Sequence, residues 1–391
     1  MTEAPERPRA SGALQAPGPR GDRFDDAPLL VFWETTKACD LACRHCRAEA
    51  SPTPCAGELT TDEGRRLVRQ LSHFMRPPVL VLTGGDVMAR ADVPSLVGTA
   101  HQAGLPVAIA PSVTSRLTDE ALDDLAALGA RSVSVSLDGA RAGTHEGVRG
   151  VPGHFEATLE AMARLTAHGF RLQVNTAVMA ANAEELADIA GLVVGAGATS
   201  WELFFLVQVG RGTTEAALSP EANEDVAHFL WEASSYGVVV RTVEGPWARR
   251  VARWRREDQV LPGEQTARRY GLGALYSQLS DRLAEVLGAP RTPARLATSG
   301  TRDGNGTLFV GFDGTLQPAG FLPLALGNVK RDSAVDVYRH HPLLLDLRHG
   351  RFHGRCGRCS YSDICGGSRA RAFAASGDPL GEDPACAYQP A

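Results

Sequence analysis

The sequence predicts an α/β fold built on a parallel β-sheet. Short apolar runs alternate with amphipathic stretches of helical period from residue 29 to residue 235, giving six strand-and-helix units in a row. The chain has 391 residues, 43% hydrophobic and 22% charged, which is enough for one large core or two ordinary ones. This composition excludes a disulfide-held mini-protein, a coiled coil and a mostly disordered chain. Such a sheet either stays open and doubly wound or curls into a whole or partial barrel, and active sites gather at the carboxyl ends of its strands.

Each element is assigned from its hydrophobic period. The predicted strands are 29–33, 79–82, 107–110, 132–137, 172–178 and 201–206. The predicted helices are 61–74, 93–103, 119–128, 155–168, 183–194 and 220–235. Thr60 or Thr61 is the expected N-cap of the first helix. Residues 238–243 are a candidate for one more strand.

Beyond these units the composition changes twice. Residues 246–300 have helical period and are rich in arginine, which favours a solvated face, with a substrate-binding patch as the alternative; these arginines are Arg249, Arg250, Arg253, Arg255 and Arg256. After residue 300 come Gly-rich turns and the short strands 307–312 and 314–317. We therefore predict four segments: a disordered arm (1–27), the strand-and-helix domain (28–245), a helical bridging segment (246–300) and a small C-terminal domain (301–391).

Charge and targeting signals narrow the class of partner. The net charge of −5 gives no global reason to bind nucleic acid or an anionic membrane. We find no apolar run of membrane-spanning length, and residues 1–27 lack the apolar centre of a secretory signal. We therefore expect a cytoplasmic protein, in which the eight cysteines are more typical of metal sites than of disulfides.

The first cysteine group follows the first strand. Cys39, Cys43 and Cys46 form a C-x3-C-x2-C pattern, and three thiolates in eight residues can surround one corner of a [4Fe–4S] cluster. One iron would then lack a protein ligand and could chelate an amine and a carboxylate. Zinc is an alternative, but it needs four ligands, and His45 lies between two of the cysteines, where it is poorly placed to be the fourth.

Two further motifs follow predicted strands. Gly84-Gly85-Asp86 follows the second strand, where glycines allow close backbone approach and the acid could hold a cationic amine; alone it would be an ordinary strand-to-helix turn. Ser136 ends the fourth strand and Arg149 lies before the next helix, a pair suited to a ribose and a carboxylate. A capping serine and a surface arginine are the alternative interpretation of the second pair.

The second cysteine group lies near the C-terminus. It has the pattern C-x2-C-x5-C-x20-C, and its members are Cys356, Cys359, Cys365 and Cys386. Four thiolates are the ligand set of a closed [4Fe–4S] cluster, and they would equally suit structural zinc.

Together these motifs resemble those of the radical S-adenosylmethionine (SAM) superfamily. The residues after Cys365, with Phe321-Leu322-Pro323, Gly327-Asn328-Val329 and 201–212, resemble SPASM/twitch-type members of the haem and haem d1 maturation branch. The resemblance implies a partial (β/α)6 barrel with a smaller C-terminal iron–sulfur domain. It also implies reductive cleavage of SAM to a 5′-deoxyadenosyl radical. The implied SAM contacts are His45 through its backbone, Gly84, Gly85, Asp86, Ser136, Arg149, Asn175, Thr176, Phe205 and Leu206.

The sequence departs from a full SPASM domain. Ala319 and Ser368 stand where such domains place cysteines, so we predict one auxiliary [4Fe–4S] cluster, held by the second cysteine group. Cys55 is expected to be a bystander thiol.

The resemblance leaves the substrate open. An auxiliary cluster favours net oxidation, by decarboxylation, dehydrogenation or cross-linking, of a small carboxylated or tetrapyrrole-like metabolite. A ribosomally made peptide is the alternative substrate, and a scaffold with only structural metal is a third hypothesis, which the intact motifs oppose. Arg211, Arg249 and Arg250 are candidates to bind substrate carboxylates. Glu34, Glu202 and Glu244 lie near strand ends, but no general base can be named. A flavodoxin- or ferredoxin-type protein is the expected reductant.

Overall fold

A single mixed β-sheet organises the molecule. The computed structural model describes residues 24–214, 217–258 and 262–390, so most of the predicted N-terminal arm lies outside the described residues. The sheet has ten strands in the order β10-β9-β8-β1-β2-β3-β4-β5-β6-β7. The strands are β1 Leu30–Glu34, β2 Val79–Thr83, β3 Val107–Ile109, β4 Ser132–Ser136, β5 Arg171–Val178, β6 Ser200–Phe205, β7 Val239–Val243, β8 Thr307–Val310, β9 Thr315–Gln317 and β10 Gly327–Asn328.

Helices connect the strands. They are α1 Thr61–Leu71, α2 Val93–Gln102, α3 Asp119–Ala127, α4 Ala142–Arg149, α5 His154–Ala167, α6 Leu186–Gly195, α7 Pro220–Ala233, α8 Ala248–Asp258, α9 Glu264–Tyr270, α10 Ala274–Leu287, α11 Ala334–His340, α12 Pro342–His349, α13 Gly354–Arg358 and α14 Arg369–Ser376. Short 3-10 turns span Val87–Ala89, Ala183–Glu185 and Gly210–Thr214. The N-cap of α1 is Thr60, which forms a reciprocal capping box with Glu63. Helix α4 was not predicted.

The sheet has two chemically different faces because successive side chains of a strand point to opposite sides. One face joins the helices in a continuous apolar core that includes Val133, Val135 and Val174. The alternate positions on β4, β5 and β6 include partly buried polar side chains, namely Ser134, Ser136, Gln173, Asn175 and Glu202. The polar face therefore continues to the strand ends that carry the predicted site.

The parallel part of the sheet is larger than six units. Strands β1 to β6 pair in parallel, as predicted, and β7 adds a seventh parallel strand beside β6. Strand β8 pairs in parallel with β1 on the other side, and β9 and β10 continue antiparallel. The strands of the C-terminal segment thus extend the same sheet, while the proposed domain boundary near residue 300 stays a prediction.

The arginine-rich helix α8 does not simply present a solvated face, so that expectation was wrong for part of the helix. Arg250 is 1% exposed and forms a two-point ion pair with Glu224, at 2.8 and 2.6 Å. Arg255 is equally buried and lies 2.6 Å from Glu232. Both carboxylates belong to α7, so these arginines hold α8 against α7 and are not available to a substrate.

Across the described ranges, no helix combines the length and the apolar character needed to cross a membrane.

Candidate functional site

The loops that follow β1, β2, β3, β4 and β6 meet around the first cysteine group. Cys39, Cys43 and Cys46 lie in the loop after β1, and Cys39 and Cys43 are buried. The neighbouring loops contact this segment through the backbone: the N–H of Asp86 donates to Ala38 (2.6 Å) and that of Arg44 donates to Val148 (3.0 Å). The carboxyl edge of the sheet therefore assembles a single site, as the fold class predicts.

Each thiol of the first group has a nearby hydrogen-bond donor. Backbone N–H groups of Leu41 and Ala50 lie 3.4 Å from the sulfurs of Cys39 and Cys46. The sulfur of Cys43 accepts from Arg149 Nη1 at 3.6 Å. Donors of this kind stabilise thiolates, which are the form of cysteine that binds iron. The donor set therefore fits an iron–sulfur cluster.

The glycine pair at the end of β2 has a structural purpose that differs from the prediction. The N–H of Gly85 donates to Thr36 at 2.7 Å. A Cβ atom at Gly84 would lie 2.5 Å from the carbonyl oxygen of Thr36, and one at Gly85 would lie 2.5 Å from that of Ala38. Both positions must be glycine for the cysteine loop to pack against β2. The contact of these glycines with SAM stays a prediction.

Asp86 is fully buried and occupied by internal contacts. Its carboxylate accepts hydrogen bonds from Met88 N (3.1 Å), Ser112 N (3.2 Å) and Thr114 Oγ1 (2.8 Å). Burial raises the pKa of Asp86 although these hydrogen bonds oppose the shift. Ser112, which sequence analysis missed, also lies 3.5 Å from the Cys39 sulfur. Asp86 therefore fixes the loop after β3 against the cysteines, and its role toward an amino group stays a prediction.

Arg149 lies between Cys43 and a buried carboxylate that sequence analysis did not select. Its Nη2 atom is 2.5 Å from Asp138 Oδ2, and Asp138 is 0% exposed. Burial acts to raise the pKa of Asp138, but the charge of Arg149 and the hydrogen bond from Ala177 N oppose it, and the net shift of this pKa is downward. In the described part of the chain, Arg149 Nε has no hydrogen-bond partner. Arg149 is therefore a buried cation with one N–H group that no acceptor of the described residues satisfies.

The other predicted contacts fall on two faces of the sheet. Ser136 and Asn175 lie on the polar face, where Gln173 Nε2 donates to Asn175 (2.8 Å) and Glu202 (2.9 Å). Thr176 points into the core, since its hydroxyl donates to Leu137 and accepts from Trp201 Nε1. That placement gives no support to the predicted contact between Thr176 and adenosine.

The two predicted contacts at the end of β6, and His45 after β1, also have internal neighbours. The Phe205 ring packs edge-on against Trp247, with 5.2 Å between centroids, so it also gives no support to the predicted adenosine contact. Leu206 is buried beside Val148 and Met179. The His45 imidazole lies 3.8 Å from Asp138, and burial lowers its pKa to about 4.

Three residues considered for substrate or proton chemistry have structural partners. Arg211 donates from Nε to the Cys43 carbonyl oxygen and from Nη1 to that of Ala50, both at 3.0 Å, so it holds the cysteine loop. Arg249 donates to the carbonyl oxygens of Thr301 and Ile364. Glu34 pairs with Arg47. None of these contacts assigns a general base.

The four cysteines of the second group line one cavity. Its wall also includes Arg250, Tyr361, Trp247 and Tyr388. Burial raises the pKa of Cys365 to about 12 and that of Cys386 to about 11. Thiols in such surroundings are neutral at physiological pH unless a metal binds them. Cys356 accepts from Arg369 Nη2 and from Asp383 N, both at 3.5 Å, so donors to sulfur are present here too.

Other cysteine-related predictions can be placed in the structure. Ser368 caps α14 by accepting from Arg371 N (2.9 Å) and is hydrogen-bonded to Glu244. Ala319 is buried beside Leu322. Cys55 lies in the loop before α1 and does not line the second cavity. The number of auxiliary clusters stays a prediction.

No three Cys, His, Asp or Glu side chains among residues 24–214, 217–258 and 262–390 come together as a single metal ion would require. Zinc needs four ligands at about 2.0–2.3 Å from one point. Thiolates that bind a cubane are distributed around its separate irons instead. Which metal group each cysteine set binds stays a prediction.

The parallel α/β fold and the three-cysteine loop at its carboxyl edge define the class of protein. Residues 33–193 match the Radical SAM superfamily. A relative named AdoMet-dependent heme synthase, from Methanosarcina barkeri, is 34% identical over 367 residues, which cover 93% of this chain and 98% of that protein. The chain belongs to the radical SAM superfamily and is an enzyme.

One further relative and one solved structure are also similar to this chain. Mycofactocin maturase MftC from Mycobacterium tuberculosis is 30% identical over 93% of this chain and 84% of its own length. The crystal structure of Streptococcus suis SuiB bound to precursor peptide SuiA has a TM-score of 0.64 at 13% identity and covers 93% of this chain and 76% of SuiB. The last comparison confirms the fold alone. The predicted fold class and the resemblance to haem-maturing enzymes are confirmed.

Proposed function

We propose that this enzyme reductively cleaves SAM and uses the resulting radical to oxidise a carboxylated tetrapyrrole, in a haem-forming reaction. The observation that carries the proposal is the match to AdoMet-dependent heme synthase along almost the full length of both chains. Since the relatives include enzymes of other substrates, the tetrapyrrole is the part of the proposal that most needs a test.

Cys39, Cys43 and Cys46 would bind a [4Fe–4S] cluster with one open iron, and SAM would occupy that corner. The reduced cluster supplies the electron that splits SAM into methionine and a 5′-deoxyadenosyl radical, which abstracts hydrogen from a C–H bond. Arg149 Nε and the hydroxyl of Ser136 are the groups of this chain best placed to hold SAM, because the first is an unpartnered buried donor and the second ends β4 on the polar face.

Cys356, Cys359, Cys365 and Cys386 would bind an auxiliary [4Fe–4S] cluster. Their cavity is walled by aromatic residues and by Arg250, whose cation favours electron density on the nearby thiolates. Such a site can accept the electron that a substrate radical must lose in an oxidative decarboxylation. One substrate carboxylate would leave as CO2, with loss of one hydrogen atom to the deoxyadenosyl radical and one electron to the protein.

The test is an anoxic incubation of reconstituted enzyme with SAM, dithionite and iron coproporphyrin III. We expect 5′-deoxyadenosine together with a tetrapyrrole product that has lost CO2 and hydrogen, detected by mass spectrometry. Deuterium placed on the side-chain carbons of the substrate should appear in 5′-deoxyadenosine. Formation of 5′-deoxyadenosine with every carboxylated tetrapyrrole left unchanged would refute the substrate while leaving the radical chemistry intact.

A peptide substrate is the second candidate. The observation in its favour is the 30% identity with mycofactocin maturase over 93% of this chain. It is less favoured because this chain spans 84% of the maturase and 98% of the heme synthase. Mass loss from a precursor peptide, with no change to the tetrapyrrole, would establish this alternative.

Reduction in the cell requires a partner. We propose a flavodoxin- or ferredoxin-type protein in the cytoplasm, because the proposed clusters need single electrons at low potential. Replacing dithionite by a reduced flavodoxin should sustain 5′-deoxyadenosine formation. A failure of both flavodoxin and ferredoxin to do so would contradict this partner.

A further inference from the structure

Arg149 lies beside a sulfur that is a proposed cluster ligand, and one carboxylate holds it there. Nη1 is 3.6 Å from Cys43 Sγ, whereas Nη2 is 2.5 Å from Asp138 Oδ2. The guanidinium is a rigid planar fork, so fixing one of its nitrogens fixes the direction of the others. The contact with Asp138 therefore determines where Nη1 and the unpartnered Nε point.

Asp138 is itself held on every side. Its N–H donates to His145 Nδ1 (3.1 Å), its carbonyl oxygen accepts from Asn182 Nδ2 (2.9 Å), and its Oδ1 atom accepts from Ala177 N (2.7 Å). The following Gly139 packs so tightly that a Cβ atom there would lie 2.6 Å from His145 N. With both backbone groups and one carboxylate oxygen anchored, the second oxygen of Asp138 is left to contact Arg149 at 2.5 Å, and the next group facing it is His45 Nε2 at 3.8 Å.

His145 and Arg149 lie four residues apart on α4, so they share the face of that helix that meets Asp138. His145 is fully buried, and burial lowers its pKa to about 3, so it is neutral. Since its Nδ1 accepts from Asp138, its proton is on Nε2, which lies 2.8 Å from His154 Nδ1. The histidine pair therefore acts as a fixed, uncharged support for the Asp138 backbone.

We propose that Asp138 is a positioning residue, which holds Arg149 so that its charge faces the Cys43 sulfur while Nε remains directed at the SAM carboxylate. The inference rests on the proposed role of Cys43 as a ligand of the SAM cluster. A cation next to a thiolate stabilises the more negative, reduced cluster and makes its potential less negative. Asp138 thereby couples SAM binding and cluster potential through one side chain.

Asp138→Asn separates positioning from simple charge. Loss of a nearby negative charge would by itself make the midpoint potential of the SAM cluster less negative. Release of Arg149 has the opposite effect, so the positioning role predicts a more negative potential, together with SAM affinity weakened about tenfold, as expected for one charge-assisted hydrogen bond. Potentials are measured by redox titration with electron paramagnetic resonance (EPR) detection, and SAM affinity by equilibrium dialysis, on reconstituted full-length enzyme.

Matched variants complete the experiment. In an Arg149→Gln background, adding Asp138→Asn should not weaken SAM affinity further and should no longer make the potential more negative, because Asp138 acts through Arg149 and only the less negative shift from the lost carboxylate charge remains. Asp119→Asn removes an exposed carboxylate of α3 and should leave both quantities at wild-type values. A less negative or unchanged potential in Asp138→Asn, or additive effects in the double variant, would overturn the proposal.

A second pair of variants applies if Asp138→Asn does not fold or bind iron. His145→Ala keeps both charges but removes the support of Asp138, so the potential should again become more negative; His145→Asn keeps an acceptor near Nδ1 and should restore it. An unchanged potential in His145→Ala would overturn the proposal. None of these measurements needs the substrate, so failure of the tetrapyrrole proposal would leave them fully informative.

Discussion

Replacement of Arg371 should release the C-terminal segment from the strand ends. Arg371 Nη1 donates to the Glu244 carbonyl oxygen (3.0 Å) and lies 3.3 Å from both carboxylate oxygens of Asp383. Nη2 donates to the carbonyl oxygens of Phe205 (3.4 Å) and Leu206 (3.2 Å). One side chain of α14 therefore contacts the ends of both β6 and β7.

The loss of stability on replacing Arg371 follows from these contacts. Asp383 is 1% exposed, and removing one member of a buried ion pair costs about 3–5 kcal/mol. Asp383 still accepts from Ser368 N and Ala385 N, so we take the lower end, about 3 kcal/mol, for Arg371→Met. Arg371→Lys keeps the charge but cannot reach all the acceptors, and should cost about 1–2 kcal/mol.

The assay is guanidinium unfolding of the full chain followed by circular dichroism, with iron content measured on the same preparations. Arg351→Met is a matched control, because Arg351 pairs with Asp346 at the surface and its side chain is 64% exposed; it should change the free energy of unfolding by less than about 0.5 kcal/mol. An Arg371→Met variant as stable as this control would refute the reasoning.

Three other perturbations have defined outcomes. Gly85→Ala should place Cβ 2.5 Å from the Ala38 carbonyl oxygen and lower iron from about eight to about four per chain; undiminished iron would contradict the packing argument. Burial raises the pKa of Glu244 and of its hydrogen-bonded neighbour Asp303. The folded state therefore retains protons that the unfolded chain loses above the ordinary carboxyl pKa of about 4.5. The free energy of unfolding should fall as the pH rises above that value. Glu244→Gln keeps a donor to Asp303 and has no proton to lose, so its melting temperature should fall less than that of the wild type between about pH 5 and pH 8. Equal slopes would show that Glu244 does not carry the retained proton. Cys365→Ser should lose the proposed auxiliary cluster but still form 5′-deoxyadenosine without substrate; loss of both would show that the two sites are not independent.

Local pattern predicted most of the sheet and the cysteine groups, and the failures have physical causes. Helix α4 has eight residues and includes Gly143 and Gly147, which weaken its helical signal. The arginine in its last turn and Gly150 at its end were usable signals. The pairing of β8 with β1 joins segments far apart in sequence, which no local pattern reports.

Side-chain placement was the weaker part of the site prediction. Strand alternation puts Thr176 on the same face as Val174 and Val178, so its burial in the core could have been predicted. The partners of Arg250 and Arg255 on α7 lie 26 and 23 residues away, and helix packing alone brings them together. Asp138 lies two residues after Ser136, which was selected, but its contact with Arg149 depends on α4, which was not predicted.

The cleavage of SAM by matched reconstituted proteins tests the central claim most directly. With dithionite and SAM under anoxic conditions, the wild-type enzyme should form 5′-deoxyadenosine, whereas Cys43→Ala should form none. The variant should still hold about four irons per chain, in the proposed auxiliary cluster. Equal amounts of 5′-deoxyadenosine from the two proteins, or none from the wild type with its iron complete, would contradict an open-cornered cluster at Cys39, Cys43 and Cys46.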